Sequence, residues 1–251
     1  MSSNKQYIFG IHAVTALIEK HPERIIRLLA AAERGDKKMD ALLKVARRNG
    51  VEVSEASRAE LDKLTDDGNH QGVAAFCVKA RTYSEEDLVS LLEELQEPAF
   101  LLILDGVQDP HNLGACFRSA DAAGVNAIIA PKDKATGITP VVSKVACGAA
   151  ETIPFFQVTN LARTMDILKE QGVWLYGAAG EADATLYQTD LRGAVGVVMG
   201  AEGEGLRRLT RDKCDGLVHI PMRGTVESLN VSVATGVMLF EVLRQRLTKK
   251  K

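Results

Sequence analysis

One stretch of the sequence runs Val197-Val198-Met199-Gly200-Ala201-Glu202-Gly203-Glu204-Gly205-Leu206. Its apolar start is typical of a fully buried strand, and a helical pattern follows at 206–214. Strands this apolar lie inside a parallel sheet that helices cover on both faces. The glycines between strand and helix let the backbone pass close to a ligand. The stretch therefore predicts an α/β fold with a binding loop at the carboxyl edge of its sheet.

The same alternation of strand and helix extends over the second part of the chain. The predicted strands are 100–104, 127–130, 173–178, 195–199 and 217–220. The predicted helices are 113–123, 141–149, 160–171, 206–214 and 231–247. This order predicts a parallel sheet with helices on both faces.

The first eighty residues predict a smaller α/β domain. The predicted helices are 12–20, 37–48 and a third that Ser57 caps and that runs to Leu64, and the strands are 25–31, 51–53 and 72–78. The segment 82–97 has Ser84 as N-cap, leucines at helical spacing, and Pro98 after it. We therefore predict a domain at 1–80, a linker helix at 81–97 and a larger domain at 98–251.

Composition limits the class of protein. Of the 251 residues, 46% are hydrophobic and 25% charged, as in a soluble globular protein. The start of the chain lacks a signal-peptide pattern, and no apolar run reaches the roughly 18 residues of a membrane span. The four cysteines form no CxxC pair, so neither a disulfide framework nor a zinc site is predicted. We expect a cytoplasmic protein without membrane contact or metal.

Charge permits a nucleic-acid partner without identifying one. The net charge is −2, but the segment 81–97 alone contains one Arg and six acidic residues. The flanking parts are mildly basic, and the chain ends in a cluster of cations comprising Arg244, Arg246, Lys249, Lys250 and Lys251. Such a tail is either simply solvated or in contact with phosphate.

Two loops of the larger domain contain candidate ligand-binding side chains. In the segment 105–120, Asn112 is predicted at the start of a helix, where backbone N–H groups attract anions, and Arg118 can bind phosphate through two nitrogens. In the segment 218–234, Ser228 and Asn230 precede the last helix and offer the polar groups that a ribose needs. Helix capping and a surface arginine are the alternative interpretations.

The glycine-rich loop excludes two common ligand classes. Its spacing is GxxGxG, which differs from the GxGxxG of dinucleotide-binding proteins, and no Gly-Lys-Ser/Thr follows as in a nucleotide-binding P-loop. The carboxylates of Glu202 and Glu204 would repel a phosphate. They favour a ligand with a cationic or neutral part, with a plain turn as the alternative.

The order of these motifs resembles the SpoU (TrmH) family of RNA 2′-O-ribose methyltransferases, over about 98–247. The three matching runs are Asn112-x-Gly114-x-x-x-Arg118, Gly200-Ala-Glu202-Gly-x-Gly205, and Ile220-Pro221-Met222 through Ser228-Leu229-Asn230-Val231-Ser232. His70-Gln71-Gly72 and Tyr7-x-x-Gly10-x-His12 resemble the substrate-binding domain that precedes it in many members. Segments 102–119, 144–151 and 159–165 favour the subtype that methylates a guanosine in the peptidyl-transferase P loop of 23S ribosomal RNA.

The resemblance implies a fold and a site that spacing alone does not give. It implies a knotted SPOUT-type parallel sheet, an L30e-like first domain that presents the RNA, and a homodimer whose active sites draw on both subunits. The methyl donor would be S-adenosylmethionine, held by backbone groups near Gly200, Ile220 and Leu229. The residues at catalytic or near-catalytic family positions are Asn112, Arg118, Glu202, Ser228 and Asn230. Arg223 and Glu227 depart from the family pattern, since small residues are expected there.

Three functions stay open beside this one. They are a SpoU enzyme for transfer RNA, a SpoU enzyme for another ribosomal site, and an RNA-binding assembly factor without catalysis. Within the favoured function, Arg118 is expected to clamp an RNA phosphate and stabilise alkoxide charge, because a guanidinium with a pKa above about 12 is a poor general base. Asn112 is expected to hold the ribose.

Overall fold

The computed structural model describes residues 4–31, 37–81 and 83–248, which form two compact units. The first comprises the described residues up to Arg81 together with Ile138–Thr152, and the second comprises the remainder. The predicted domain ranges differ from this division at Ile138–Thr152, which sequence order assigned to the larger domain. Lys249, Lys250 and Lys251 of the basic tail, and Thr82 of the linker segment, lie outside the described residues.

The first unit is a four-stranded sheet with helices. Its strands are β1 (Lys5–Phe9), β2 (Ile25–Ala31), β3 (Val53–Ala56) and β4 (Val73–Val78), in the sheet order β1-β4-β2-β3. Its helices in the amino-terminal part are α1 (Ile11–Lys20), α2 (Lys37–Arg48) and α3 (Arg58–Leu64). One face of the sheet packs on α1 and α2 through buried side chains such as Leu17, Leu28 and Met39.

Local signals set several boundaries in this unit as predicted. Gly50 has φ 70°, the left-handed conformation that ends α2 and that glycine adopts without strain. The Ser57 side chain accepts a hydrogen bond from Glu60 N and caps α3. The strand β1 was not predicted, because only its last two residues are buried and the apolar signal is short.

The second unit is built on a seven-stranded sheet. Its strands are β5 (Phe100–Asp105), β6 (Ala127–Pro131), β7 (Phe155–Val158), β8 (Trp174–Ala178), β9 (Ala184–Thr185), β10 (Val195–Gly200) and β11 (Gly216–His219). Its helices are α4 (Glu85–Glu94), α5 (Pro110–Ala123), α7 (Leu161–Glu170), α8 (Arg208–Lys213) and α9 (Val231–Leu247), while α6 (Pro140–Val145) belongs to the first unit.

All described pairings in this sheet are parallel, in the order β7-β6-β5-β10-β8-β11-β9. The helices α4 and α7 cover one face through side chains such as Leu88 and Met165. The other face carries the alternate residues of β5, such as Leu102, and α9 packs there against β10 and α5. The predicted fold class, a parallel sheet with helices on both faces and a small α/β domain, is confirmed.

The strand order places β11 between β8 and β9, although β10 lies between β9 and β11 in sequence. The strand β11, which comes last in sequence, therefore lies between two strands that precede it. This order is consistent with the knotted topology that the family resemblance implied. Knots are rare in proteins.

Most predicted elements agree with the structure to within a few residues, and 231–247 agrees at both ends. The predicted start of α5 near Asn112 was late: the Asp109 side chain accepts a hydrogen bond from His111 N, and Pro110 is the first helical residue. Strands β7 and β9 were not predicted, because both are short and lie at edges of the sheet. In the described part of the chain, no helix has both the length and the apolar character to cross a membrane.

Candidate active site

A cavity of about 850 Å³ lies where β8, β10 and β11 end. Its volume is in the range of small-molecule sites. Six of the eight predicted site residues line it, namely Gly200, Glu202, Ile220, Ser228, Leu229 and Asn230. Asn112 and Arg118 are not part of the lining.

Three segments of the chain are joined beside this cavity by a triangle of hydrogen bonds between Asn112, Glu202 and Asn230. Asn112 Nδ2 donates to Glu202 Oε2 at 3.2 Å. Asn230 Nδ2 donates to Asn112 Oδ1 at 3.0 Å and to Glu202 Oε1 at 3.1 Å. The residues come from α5, from the loop after β10 and from the start of α9. Their contact therefore depends on the tertiary fold.

Asn230 has a second role, as the N-cap of α9. Its Oδ1 accepts hydrogen bonds from Ser232 N at 2.9 Å and from Ser232 Oγ at 2.6 Å. The carbonyl oxygen of this side chain thus caps the helix, and its amide nitrogen donates to the other two members of the triangle. Of the two capping candidates in the sequence, Asn230 and not Ser228 caps the helix.

The loop after β10 turns back on itself because of its glycines. Ala201 and Gly205 exchange two backbone hydrogen bonds of 3.0 Å each. A Cβ on Gly200 would lie 2.1 Å from the Gly205 carbonyl carbon, so no other residue fits there. Gly203 and Gly205 have φ angles of 81° and 69°. The glycines thus let two stretches of backbone approach each other closely, and this turn holds Glu202 at the cavity edge. Close approach to a ligand stays a prediction.

Arg118 and Ser228 stand apart from the triangle. Both are exposed, and neither has a hydrogen-bond or ion-pair partner among the residues that the structure describes. Arg118 lies on α5, six residues after Asn112, and its guanidinium is free to meet an anion from outside. Its role in chemistry stays a prediction.

The part of the chain that contains the cavity and the triangle matches one family of proteins. Residues 99–240 match the SpoU rRNA Methylase family. This chain belongs to the SpoU rRNA methylase family. Residues 7–83 match a second model, described as RNA 2′-O ribose methyltransferase substrate binding. The family that the three sequence motifs resembled is thus confirmed.

Two curated SpoU relatives cover nearly the whole chain. The 23S rRNA (guanosine-2′-O-)-methyltransferase RlmB of Shewanella oneidensis is 59% identical over 95% of this chain and 97% of its own length. The RlmB of Escherichia coli K12 is 54% identical over 96% of this chain and 99% of its own length. Both domains of this chain therefore have counterparts in these relatives.

Solved structures agree in fold. A crystal structure of an RNA 2′-O ribose methyltransferase is 27% identical with a TM-score of 0.80, over 98% of this chain and 91% of that one. AviRb from Streptomyces viridochromogenes, solved in complex with AdoMet, has a TM-score of 0.79 at 23% identity over 98% of this chain and 92% of that one, a likeness of fold alone.

An ion pair near the SpoU glycine loop, between a buried carboxylate and a partly exposed arginine, escaped the sequence analysis. Asp105, the last residue of β5, is fully buried and pairs in register with Gly200. Its Oδ2 accepts a hydrogen bond from Arg207 N at 3.0 Å, and its Oδ1 accepts one from Arg207 Nε at 2.5 Å and also contacts Nη2. The pair fastens the end of the loop. The only hint in the sequence was an acidic residue directly after an apolar strand.

The two residues that depart from the family pattern, Arg223 and Glu227, are exposed and line the rim of the cavity. His219 lines it as well, and its Nδ1 is buried without a hydrogen-bond partner among the described residues. The rim therefore carries charges of both signs, which fits a ligand that is itself mixed in charge.

The thiols of three cysteines are poor nucleophiles. Burial raises the pKa of Cys77 to about 11, of Cys116 to about 11 and of Cys214 to about 12. Only Cys147 is exposed. Within the described ranges, no group of three or more His, Cys, Asp or Glu side chains is arranged to hold a metal ion.

Proposed function

We propose that this protein transfers a methyl group from S-adenosylmethionine to the ribose 2′-OH of a guanosine in 23S ribosomal RNA, in the peptidyl-transferase P loop. The two RlmB relatives, named for guanosine-2′-O-methylation of 23S rRNA, support the substrate. The observation that carries the proposal is the triangle of Asn112, Glu202 and Asn230 beside the cavity. It joins the three family motifs in one place. A cytoplasmic location goes with this substrate.

The cavity suits the proposed methyl donor. Its volume of about 850 Å³ and its closely approaching backbone around Gly200 fit a nucleoside-sized ligand. Backbone groups near Gly200, Ile220 and Leu229 would hold the donor, and Glu202 at the edge suits its positive charge. When bound, the donor supplies an electrophilic methyl group on a sulfonium sulfur.

The remaining chemistry is the positioning of a weak nucleophile. A ribose 2′-OH must be aligned with the methyl group, and orientation of this kind contributes a large share of a rate enhancement. Asn112 uses one amide hydrogen and its Oδ1 inside the triangle, so its second amide hydrogen is left for the ribose. Arg118, which is exposed and has no partner among the described residues, clamps an RNA phosphate and stabilises developing alkoxide charge.

The homodimer that the family resemblance implied also belongs to this proposal. On α9, Val233, Phe240 and Leu247 are 53%, 47% and 74% exposed and recur every seven residues. Val237 lies between the first two on the same side of the helix. An apolar stripe with this spacing is typical of a helix that packs against another helix. A second copy of the chain is the proposed partner.

The experiment that tests the reaction compares 23S rRNA from cells with and without this protein. Ribose methylation is mapped by resistance of the backbone to alkaline cleavage. We expect loss of one methyl group, at the P-loop guanosine, and its return when purified protein and donor are added to the RNA. Plasmid-borne protein with Asn112→Ala should fail to restore it.

Two other outcomes would each contradict a different part of the proposal. If the P-loop guanosine stays methylated while another ribosomal or transfer RNA site loses its methyl group, the substrate is wrong and the reaction class stands. If no ribose changes anywhere, the protein is an RNA-binding factor without catalysis.

A further inference from the structure

The helix α2 of the first unit presents a narrow cationic stripe. At 100° per residue, Lys37, Lys44 and Arg48 fall within about 40° of one another. All three are exposed, whereas Met39, Leu42 and Ala46 on the opposite side are buried in the core. These three side chains therefore point away from the protein, and we call them the α2 stripe.

No residue that the structure describes neutralises the α2 stripe. None of its three members has an ion-pair or hydrogen-bond partner among the described residues. Asp40 is the sole acid on a helix that carries five cations. Lys44 and Arg48 are four residues apart, a spacing at which like charges repel and weaken a helix.

Helix stability explains only part of this charge. Arg47 and Arg48 lie in the last turn of α2, where cations interact favourably with the helix dipole. Lys37 lies in the first turn, where the same dipole disfavours a cation. The dipole therefore leaves Lys37 unexplained. Asp40, three residues after Lys37 and four before Lys44, is the single acid on the helix, so the stripe keeps an excess of positive charge that an external anion can meet.

We propose that the α2 stripe binds the phosphodiester backbone of the RNA substrate, an inference that rests on the proposed function. The stripe spans about 16 Å along the helix axis, so its cations contact separate phosphates. Ala41 lies between them, and its small side chain does not block the approach of a ligand to the stripe. The stripe falls within the residues 7–83 that match a substrate-binding model. Backbone contacts fix the position of an RNA without reading its sequence.

The test measures binding of full-length protein to an unmodified 23S rRNA transcript, without donor, at several salt concentrations. The variant is Lys37→Gln, Lys44→Gln and Arg48→Gln together. Each phosphate contact contributes about 0.7 to 0.9 to the slope of log affinity against log salt. We expect the slope to fall by about two and the affinity near 0.1 M salt to fall roughly 10- to 100-fold.

A matched control removes three other exposed cations of the same unit, Lys20→Gln, Arg58→Gln and Lys63→Gln. It has the same net charge and should keep the wild-type slope. A second variant with Lys37→Arg, Lys44→Arg and Arg48→Lys keeps the charge and should bind like wild type. Far-UV circular dichroism and thermal melting should be unchanged in all three variants and verify that the first unit, which carries the substitutions, still folds.

An unchanged slope in the glutamine variant, or an equal loss in the control, would overturn the inference. If the glutamine variant does not fold, Lys44→Gln alone must lower the slope by about one. Failure of this inference can be told apart from failure of the proposed function. A wild-type protein that neither binds nor methylates 23S rRNA contradicts the proposed function, whereas an unchanged slope in the glutamine variant contradicts only the role of the α2 stripe.

Discussion

Arg207 folds back over the end of β5 so that its backbone N–H and its guanidinium both meet the buried carboxylate of Asp105. The contact between these two residues holds the carboxyl end of the glycine loop. The triangle of Asn112, Glu202 and Asn230 holds the part of the loop that follows β10. The loop that would hold the methyl donor is therefore fixed at both ends by side-chain contacts.

Replacing Asp105 with Asn should loosen this loop. The substitution removes the charge and sets an amide against the Arg207 N–H, and loss of one partner of a buried ion pair typically lowers stability by 3–5 kcal/mol. We expect about 2 kcal/mol here, because the Arg207 side chain is 42% exposed. Urea unfolding gives the stability, and calorimetry should find weaker binding of S-adenosylhomocysteine.

The control for Asp105→Asn is Arg208→Ala, since that neighbouring side chain is 93% exposed. It should change neither quantity. Donor-analogue affinity at the wild-type value in Asp105→Asn would contradict the idea that this pair positions the loop.

Replacing Asn230 separates the cap of α9 from the triangle. Asn230→Asp keeps a good N-cap and should leave stability within about 0.5 kcal/mol, but it removes both amide hydrogens and adds a second carboxylate beside Glu202. Methyl transfer should fall roughly 100-fold, the order of loss that misplacement of a reacting group produces. Asn230→Ala should lose about 1 kcal/mol in addition. Thermal melting and single-turnover methylation measure the two effects.

The Arg118→Lys variant tests the phosphate clamp. Lysine keeps the charge but loses the two-pronged geometry of the guanidinium. We expect a fall in kcat/KM for RNA of about tenfold or more, with no change in melting temperature, because Arg118 has no described partner to lose. A wild-type rate would exclude Arg118 from the site.

The apolar stripe on α9 predicts the effect of charge on assembly. Phe240→Glu should convert a dimer into a monomer in light scattering, since burying an unpaired carboxylate at a helix interface is strongly unfavourable. Leu209→Glu serves as the control, because Leu209 is also exposed, at 68%, but lies on α8. A wild-type protein that is already monomeric at micromolar concentration would rule out the proposed homodimer.

Thiol reactivity should follow burial. At pH 8 the exposed Cys147 should react quickly with a disulfide reagent, whereas Cys77, Cys116 and Cys214 should not. Their pKa values are raised to about 11 or 12, so the reactive thiolate is scarce until the pH approaches that range. Two fast-reacting thiols in the folded protein would contradict this assignment.

The sequence was sufficient for the parts of the fold that local patterns encode. The apolar runs predicted β5, β6 and β10 to within a residue at each end, because a strand buried on both faces has few polar positions. The edge strands β1 and β9 were missed for the converse reason, since each has one neighbour and few buried residues, and β7 was missed because it has only four residues.

The triangle depends on contacts that no local pattern contains. Asn112 and Glu202 are 90 residues apart, and Asn112 and Asn230 are 118 apart. Motif order suggested that they act together, but the pairing of β10 with β5 brings the first two within hydrogen-bond distance. The same pairing explains why Asp105 escaped notice, since its partner Arg207 lies 102 residues later.

By itself the sequence determined the residue types, the three loops and the family, because glycine spacing, caps and apolar runs are properties of neighbouring residues. The tertiary structure alone decided that Asn112, Glu202 and Asn230 touch, that Asp105 binds Arg207, and that no described residue pairs with Arg118. A hydrogen bond forms only within about 3 Å. Whether two distant residues reach that separation is set by strand order, which a linear pattern does not specify.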